Sequence, residues 1–308
     1  MRGRTTALTA IAVAVLTVLT GCSEGSAPEN QAPPAKGEGP SRALTRSEQT
    51  RVEQAEQRLI QGCMKRKGFR YWVGPPADAD TLRAFSNRFV QDDVGWAREH
   101  GYGGRLKKAF FADKKRDPNL AYRERLSPSE RQRFSDALDG GPKTPMLSVR
   151  LPAGGAVRSL DGGCRHSARQ QLFGDTEAFF RADKTAANLV AVYTPKLRRD
   201  PRFTKGLDAW SRCMRDAVGR DFDDPGAARA HADERVKGLS ASEAHAVEVE
   251  LAVAEADCAR STGLPSTLSR LDRAYGDPVR DRYADEIAAS NRMKHAALRK
   301  AKRLGRRD

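Results

Sequence analysis

Beyond residue 43 the chain sets apolar residues among charged ones at helical spacing, and three start signals punctuate the pattern. They are Leu44-Thr45-Arg46-Ser47-Glu48, Leu126-Ser127-Pro128-Ser129-Glu130 and Leu239-Ser240-Ala241-Ser242-Glu243. Each puts a hydroxyl at a helix cap and Glu three residues later, so the two side chains satisfy each other's free backbone N–H groups. Pro128 falls in a first turn, where a missing N–H costs nothing. The pattern predicts helices from these caps to Gly68, Gly140 and Gly263, since glycine readily takes the left-handed turn that ends a helix. Weaker periodicity predicts further helices over 81–88, 93–100, 162–173, 176–192, 205–218, 225–236 and 278–303. Leu147, Val149 and Leu151 alternate, Pro152-Ala153-Gly154-Gly155 turns, and Val157 to Leu160 follows. That predicts one small β-hairpin near 147–160. The expected fold is mainly α, as disulfide-linked helical domains carrying one hairpin. A first helical module spans 44–195, a second 196–291, and a basic segment 292–308.

The chain start has a different texture. Arg2 and Arg4 precede an uncharged, largely apolar run from Ala7 to Leu19, then Leu19-Thr20-Gly21-Cys22. A basic start, a short apolar segment and small residues before a cut describe an export signal. The run is too short to cross a hydrocarbon core of about 30 Å. A cysteine directly after Leu-x-Gly resembles the lipobox of bacterial lipoproteins. The resemblance implies a signal peptide over 1–21 and a lipid on Cys22, which becomes the first residue. The protein is then expected on the extracytoplasmic face of the cell membrane, anchored through the Cys22 lipid. Residues 22–43 carry Pro28, Pro33, Pro34 and Pro40 among small and polar residues. They read as a flexible tether, about 25 Å long as a coil.

Export changes the reading of the remaining cysteines, Cys63, Cys164, Cys213 and Cys258. An even number outside the reducing cytoplasm predicts two disulfides. Wide spacing and the lack of a C-x-x-C pair argue against zinc. In the second half, helices at 205–218, 225–236 and 240–263 would run up, down and up. Cys213 and Cys258 then lie near the same end of parallel helices. In the first half, Cys63 ends one helix and Cys164 begins another, as suits antiparallel neighbours. The expected pairs are Cys63–Cys164 and Cys213–Cys258. Cys-Met, a capped helix and a further cysteine occur twice in this order, which is compatible with a weak internal repeat or with coincidence.

A longer ordered set of motifs runs through the chain. Gly62-Cys63-Met64-x-x-x-Gly68-Phe69 is followed by His100-Gly101-Tyr102-Gly103, Asp117-Pro118-Asn119 and Leu126-Ser127-Pro128-Ser129-Glu130-Arg131. Leu151-Pro152-x-Gly154, Gly163-Cys164, Leu172-Phe173-Gly174-Asp175, Trp210-x-x-Cys213-Met214 and Asp257-Cys258 complete it. The set resembles a group of actinobacterial cell-envelope lipoproteins with no established activity. The resemblance implies envelope location and paired cysteines, and it carries no catalytic residue.

The 308 residues hold 55 Lys and Arg against 40 Asp and Glu; without Arg2 and Arg4 the balance is +13. Charged residues at 31% and apolar ones at 39% predict a modest core and salt-bridged helices. His100, His166, His231, His245 and His295 form no metal-binding or nucleophile motif and read as exposed helical residues. Asp221-Phe222-Asp223-Asp224-Pro225 lacks the glycine and distal Glu of a calcium loop, and reads better as a helix cap. Gly101-Tyr102-Gly103-Gly104 has neither the preceding strand nor the following Lys of a phosphate loop. Tyr71, Trp72 and Trp96 read as core anchors in preference to the lining of an apolar groove. No cofactor, no metal and no catalytic residue is expected.

One charged feature stands out. From Arg292 to Asp308, Arg292, Lys294, Arg299, Lys300, Lys302, Arg303, Arg306 and Arg307 face one acid, a net of +7. Met293, Ala297, Ala301 and Leu304 share a helical face, so the stretch reads either as an amphipathic basic helix or, the favoured reading, as a solvated, frayed C-terminus. Its targets outside the cell would be anionic lipid or an anionic wall polymer, and nucleic acid is not expected as a partner. The expected function is binding or scaffolding in the envelope, not catalysis. A transporter's substrate-binding lipoprotein would need βαβ alternation, and a cell-wall hydrolase paired carboxylates in a cleft.

Overall fold

The computed structural model describes residues 42–86 and 88–305. The expected signal peptide over 1–21, Cys22, the expected tether up to residue 41, and Arg306 and Arg307 lie outside the described residues. α1 (Arg46–Arg66) opens on the expected capping box: Thr45 accepts from the Glu48 N–H, and Glu48 accepts from the Thr45 N–H at 2.9 Å. Short helices follow as α2 (Ala79–Ala84), α3 (Val94–His100), α4 (Gly104–Lys115) and α5 (Pro118–Arg125), before the second capping box starts α6 (Pro128–Asp139). β1 (Met146–Arg150) and β2 (Ala156–Leu160) form the expected antiparallel hairpin, with Met146 opposite Leu160 and Arg150 opposite Ala156. α7 (Gly163–Phe173), α8 (Thr176–Ala187) and α9 (Val190–Arg198) lead to α10 (Pro201–Val218) and α11 (Pro225–Arg235). α12 (Ala241–Ser261) carries the third capping box, and α13 (Leu264–Arg282) and α14 (Ala284–Leu304) follow.

Several boundaries differ from the expected ones, for local reasons. The helix expected over 176–192 breaks at Asn188, whose side chain bonds back to the Lys184 carbonyl at 2.8 Å. α4, α5 and most of α13 were not expected. α13 restarts directly after Gly263, which takes φ +68° and turns the chain between two helices. Pro278 lies inside α13 instead of opening a helix, and the expected helix 278–303 is divided at Tyr283.

Apolar faces meet in neighbouring clusters. Ile60 and Met64 of α1 pack with Phe134 of α6 and Cys164 and Ala168 of α7. Val52 and Ala55, further back along α1, meet Leu172 and the Ala297–Leu298–Ala301 face of α14. Trp210 and Met214 of α10 pack with Leu251 and Ala259 of α12 and Leu264 of α13. Alanines draw α3 and α12 together: Ala97, Ala252 and Ala256 are fully buried. The described residues fall in one compact unit. The expected boundary at 195/196 runs through α9, and the one at 291/292 runs through α14.

Cys63–Cys164 joins the end of α1 to the start of α7, and Cys213–Cys258 joins α10 to α12, both with Cα atoms 5.6 Å apart. These are the expected pairs. The two halves are not equivalent, however. Cys164 lies on the helix after the hairpin, whereas Cys258 lies on the capped helix itself.

Candidate functional site

A cavity lies where α1, the hairpin, α7, α8 and α14 converge. Gly174, at φ +84°, turns the chain between α7 and α8. That turn brings Phe173 and Phe179 into a parallel stack 3.9 Å apart. With Phe180, Val52, Leu147 and Val157 they line the apolar part of a groove of about 540 Å³.

Charged groups from distant parts of the chain line the rest. His166 Nδ1 and Asp161 are hydrogen-bonded, which fixes the imidazole against the chain leaving β2. Thr176 Oγ1 lies 3.5 Å from the same carboxylate. Arg169 of α7 pairs with Glu56 of α1 at 3.1 Å. Asp183 of α8 meets Lys294 of α14 at 2.7 Å and Lys184 at 3.2 Å. Burial pushes the Asp183 carboxyl up, but the hydrogen bond and charge of Lys294, with the charge of Lys184, outweigh it and hold the carboxyl below its usual range. The groove therefore combines an aromatic wall with pre-oriented ion pairs, the mixture that binds amphipathic molecules.

A second polar cluster is structural in its contacts. Glu255 of α12 is fully buried. It accepts from the Gln91 N–H at 2.6 Å, from the Tyr102 hydroxyl at 2.8 Å and from Arg229 at 2.7 Å. Arg229 also donates to the carbonyls of Arg88 and Phe89. Burial raises the pKa of Glu255, while Arg229 and the two neutral donors pull it back. Burial and the adjacent Glu255 keep the Tyr102 hydroxyl protonated. Two turns earlier Glu248 accepts from the Gly104 N–H at 2.9 Å and so caps α4. Beside this cluster is a smaller cavity of about 300 Å³, with Arg83, Arg88, Lys107 and Trp96 among its walls. The Arg83 guanidinium lies over the Trp96 ring at 4.7 Å.

The residues singled out from sequence are dispersed. Asp224 caps α11, accepting from the Ala227 N–H at 2.8 Å, and Phe222 is buried. None of the five histidines is exposed, contrary to expectation. His295 is buried and its Nε2 faces the Arg42 carbonyl at 3.1 Å, while burial lowers the pKa of His231 and of His245. Tyr71, Trp72 and Trp96 are only half-buried; the fully buried anchor is Trp210.

In the basic segment, Ala297 and Ala301 face the core with Leu304 beside them, so the apolar face is occupied by α1 and α7. Lys294 is held in the groove, and Arg292, Arg299, Lys302 and Arg303 are exposed, with Lys300 half-buried. The groove residues were not legible in the sequence. They come from positions 43 to 294, and no local motif joins them.

Among the described residues, no group of three or more His, Cys, Asp or Glu is placed to hold a metal ion. No described helix is long and apolar enough to cross a membrane. No family model matches the chain, and no curated protein and no solved structure matches it.

Proposed function

We propose that this is a lipid-anchored protein of the cell envelope. It is held on the extracytoplasmic face through Cys22 and binds a small amphipathic ligand in the groove beside the start of α1. The groove itself carries the reading: stacked Phe173 and Phe179 line the same space of about 540 Å³ as the Asp183–Lys294 and Asp161–His166 pairs. The lipobox-like Leu19-Thr20-Gly21-Cys22 and two disulfides support an exported location. The groove favours ligand binding over a purely scaffolding role, the property shared with substrate-binding lipoproteins of transporters. Binding is favoured over hydrolysis because Glu56, Asp161 and Asp183 are each engaged by a cation or an imidazole. The exposed cations of α14 add a weaker electrostatic contact with anionic lipid or wall polymer.

The test is purification of the protein from envelopes, followed by mass spectrometry of the small molecules it retains. A compound retained by the native protein and lost from Phe179→Ala and Lys294→Met supports the reading. A protein that retains nothing above a control, or the same compounds in all three forms, overturns it.

A further inference from the structure

The geometry points to α4 as a second membrane contact, in which an exposed phenylalanine cluster ringed by lysines docks on an anionic lipid bilayer. This inference stands independently of the lipid on Cys22. α4 buries none of its residues. Phe85, at the end of α2, meets Phe110 at 5.0 Å and Phe111 at 5.6 Å. Phe85 is 42% exposed and Phe111 55%, the most exposed aromatic rings of the described chain. Single exposed apolar residues are ordinary, but a contiguous aromatic patch marks an interaction surface.

The surroundings of the patch select its partner. At 3.6 residues per turn, Phe110, Lys114, Lys107, Phe111, Lys115 and Lys108 fall within an arc of about 160°. The four lysines form no ion pair with a described residue, and Lys114 lies over the Phe110 ring at 5.3 Å. The acid of α4, Asp113, falls about 60° outside that arc and is taken by Arg116 at 2.6 Å. Asp78 of the neighbouring turn caps α2, and Asp80 faces His100. A cationic ring around aromatic side chains suits the headgroup region of an anionic bilayer. There phenyl rings enter the acyl boundary and ammonium groups meet phosphates. α14 cannot offer the same surface, since its apolar face is already packed against α1 and α7.

The test uses the chain from Ser23 to Asp308, which keeps the whole compact unit, on phosphatidylcholine vesicles with rising phosphatidylglycerol content. Binding should rise with anionic content and fall in high salt. Lys114→Gln with Lys115→Gln should weaken it about thirtyfold at low salt, about fivefold for each charge near the surface. Phe111→Ala should weaken it about tenfold, as expected for half a phenyl side chain. Far-UV circular dichroism and the unfolding midpoint should change little, because Phe111, Lys114 and Lys115 are all exposed. Neutralising Arg299, Lys300, Lys302 and Arg303 should leave most binding intact. No binding by the parent chain would overturn the inference, as would equal binding by the lysine variant. Loss of binding only in the α14 variant would do the same. Loss with the lysines but not with Phe111, together with full competition by a soluble polyanion, would assign α4 to an anionic polymer and overturn the bilayer.

Discussion

Replacing Glu255 with alanine should destabilise the protein well beyond what truncating a surface side chain of α12 would do. The carboxylate is fully buried and takes three donors: the Gln91 N–H, the Tyr102 hydroxyl and Arg229. Removing one partner of a buried ion pair costs about 3–5 kcal/mol, because the other charge stays behind without compensation. Two features place this site near the lower end. The Arg229 side chain is 29% exposed, so water reaches part of it. It also keeps its bonds to the carbonyls of Arg88 and Phe89. The expected loss is about 3 kcal/mol, which for a domain of this size lowers the melting temperature by about 6–12 °C. Glu255→Gln keeps an acceptor but loses the charge, and should fall about halfway. Urea unfolding of the oxidised protein measures the loss, and hydrogen exchange should show faster opening of residues 88–104. A loss below about 1 kcal/mol for Glu255→Ala, with unchanged exchange there, would refute the reasoning and make the cluster incidental.

Three further outcomes follow from the same contacts. Asp183 titrates below its usual range in the fold, so its pair with Lys294 stabilises above the unfolded carboxylate value near 3.9. That stability is lost as pH falls through the folded value; a pH series of unfolding midpoints should therefore be flatter on the acid side for Asp183→Asn. The link between Cys213 and Cys258 closes 45 residues of chain, and the paired change to alanine should cost about 4 kcal/mol by loop entropy, read by calorimetry. Gly101 takes φ +60°, and a Cβ there would meet the Glu248 Cβ at 2.6 Å; Gly101→Ala should cost at least about 2 kcal/mol, and an unchanged midpoint would contradict that packing.

What the sequence made legible was local. The three capping boxes and the hairpin turn are written in consecutive residues, and the structure has them all. The disulfide pairs followed because cysteines near helix ends can be placed by counting turns. α4 escaped notice because its start signal is not beside it: the cap is Glu248, 144 residues away. α13 was hidden by Gly263, which ends one helix and starts the next with a single left-handed residue. The apolar stripe on α14 was visible, but not that α1 and α7 cover it. The groove was not legible at all, since Asp161, Asp183 and Lys294 meet only through the packing of α8 on α14 and on the hairpin.

The most direct test of the account is the intact mass of the protein taken from its own cell envelope, before and after reduction. The proposal predicts a chain that begins at Cys22, carries a diacylglyceryl group with its acyl chains, and gains four hydrogens on reduction of its two disulfides. A chain recovered from the soluble fraction, starting at Met1 with an unmodified Cys22 and four free thiols, would contradict it.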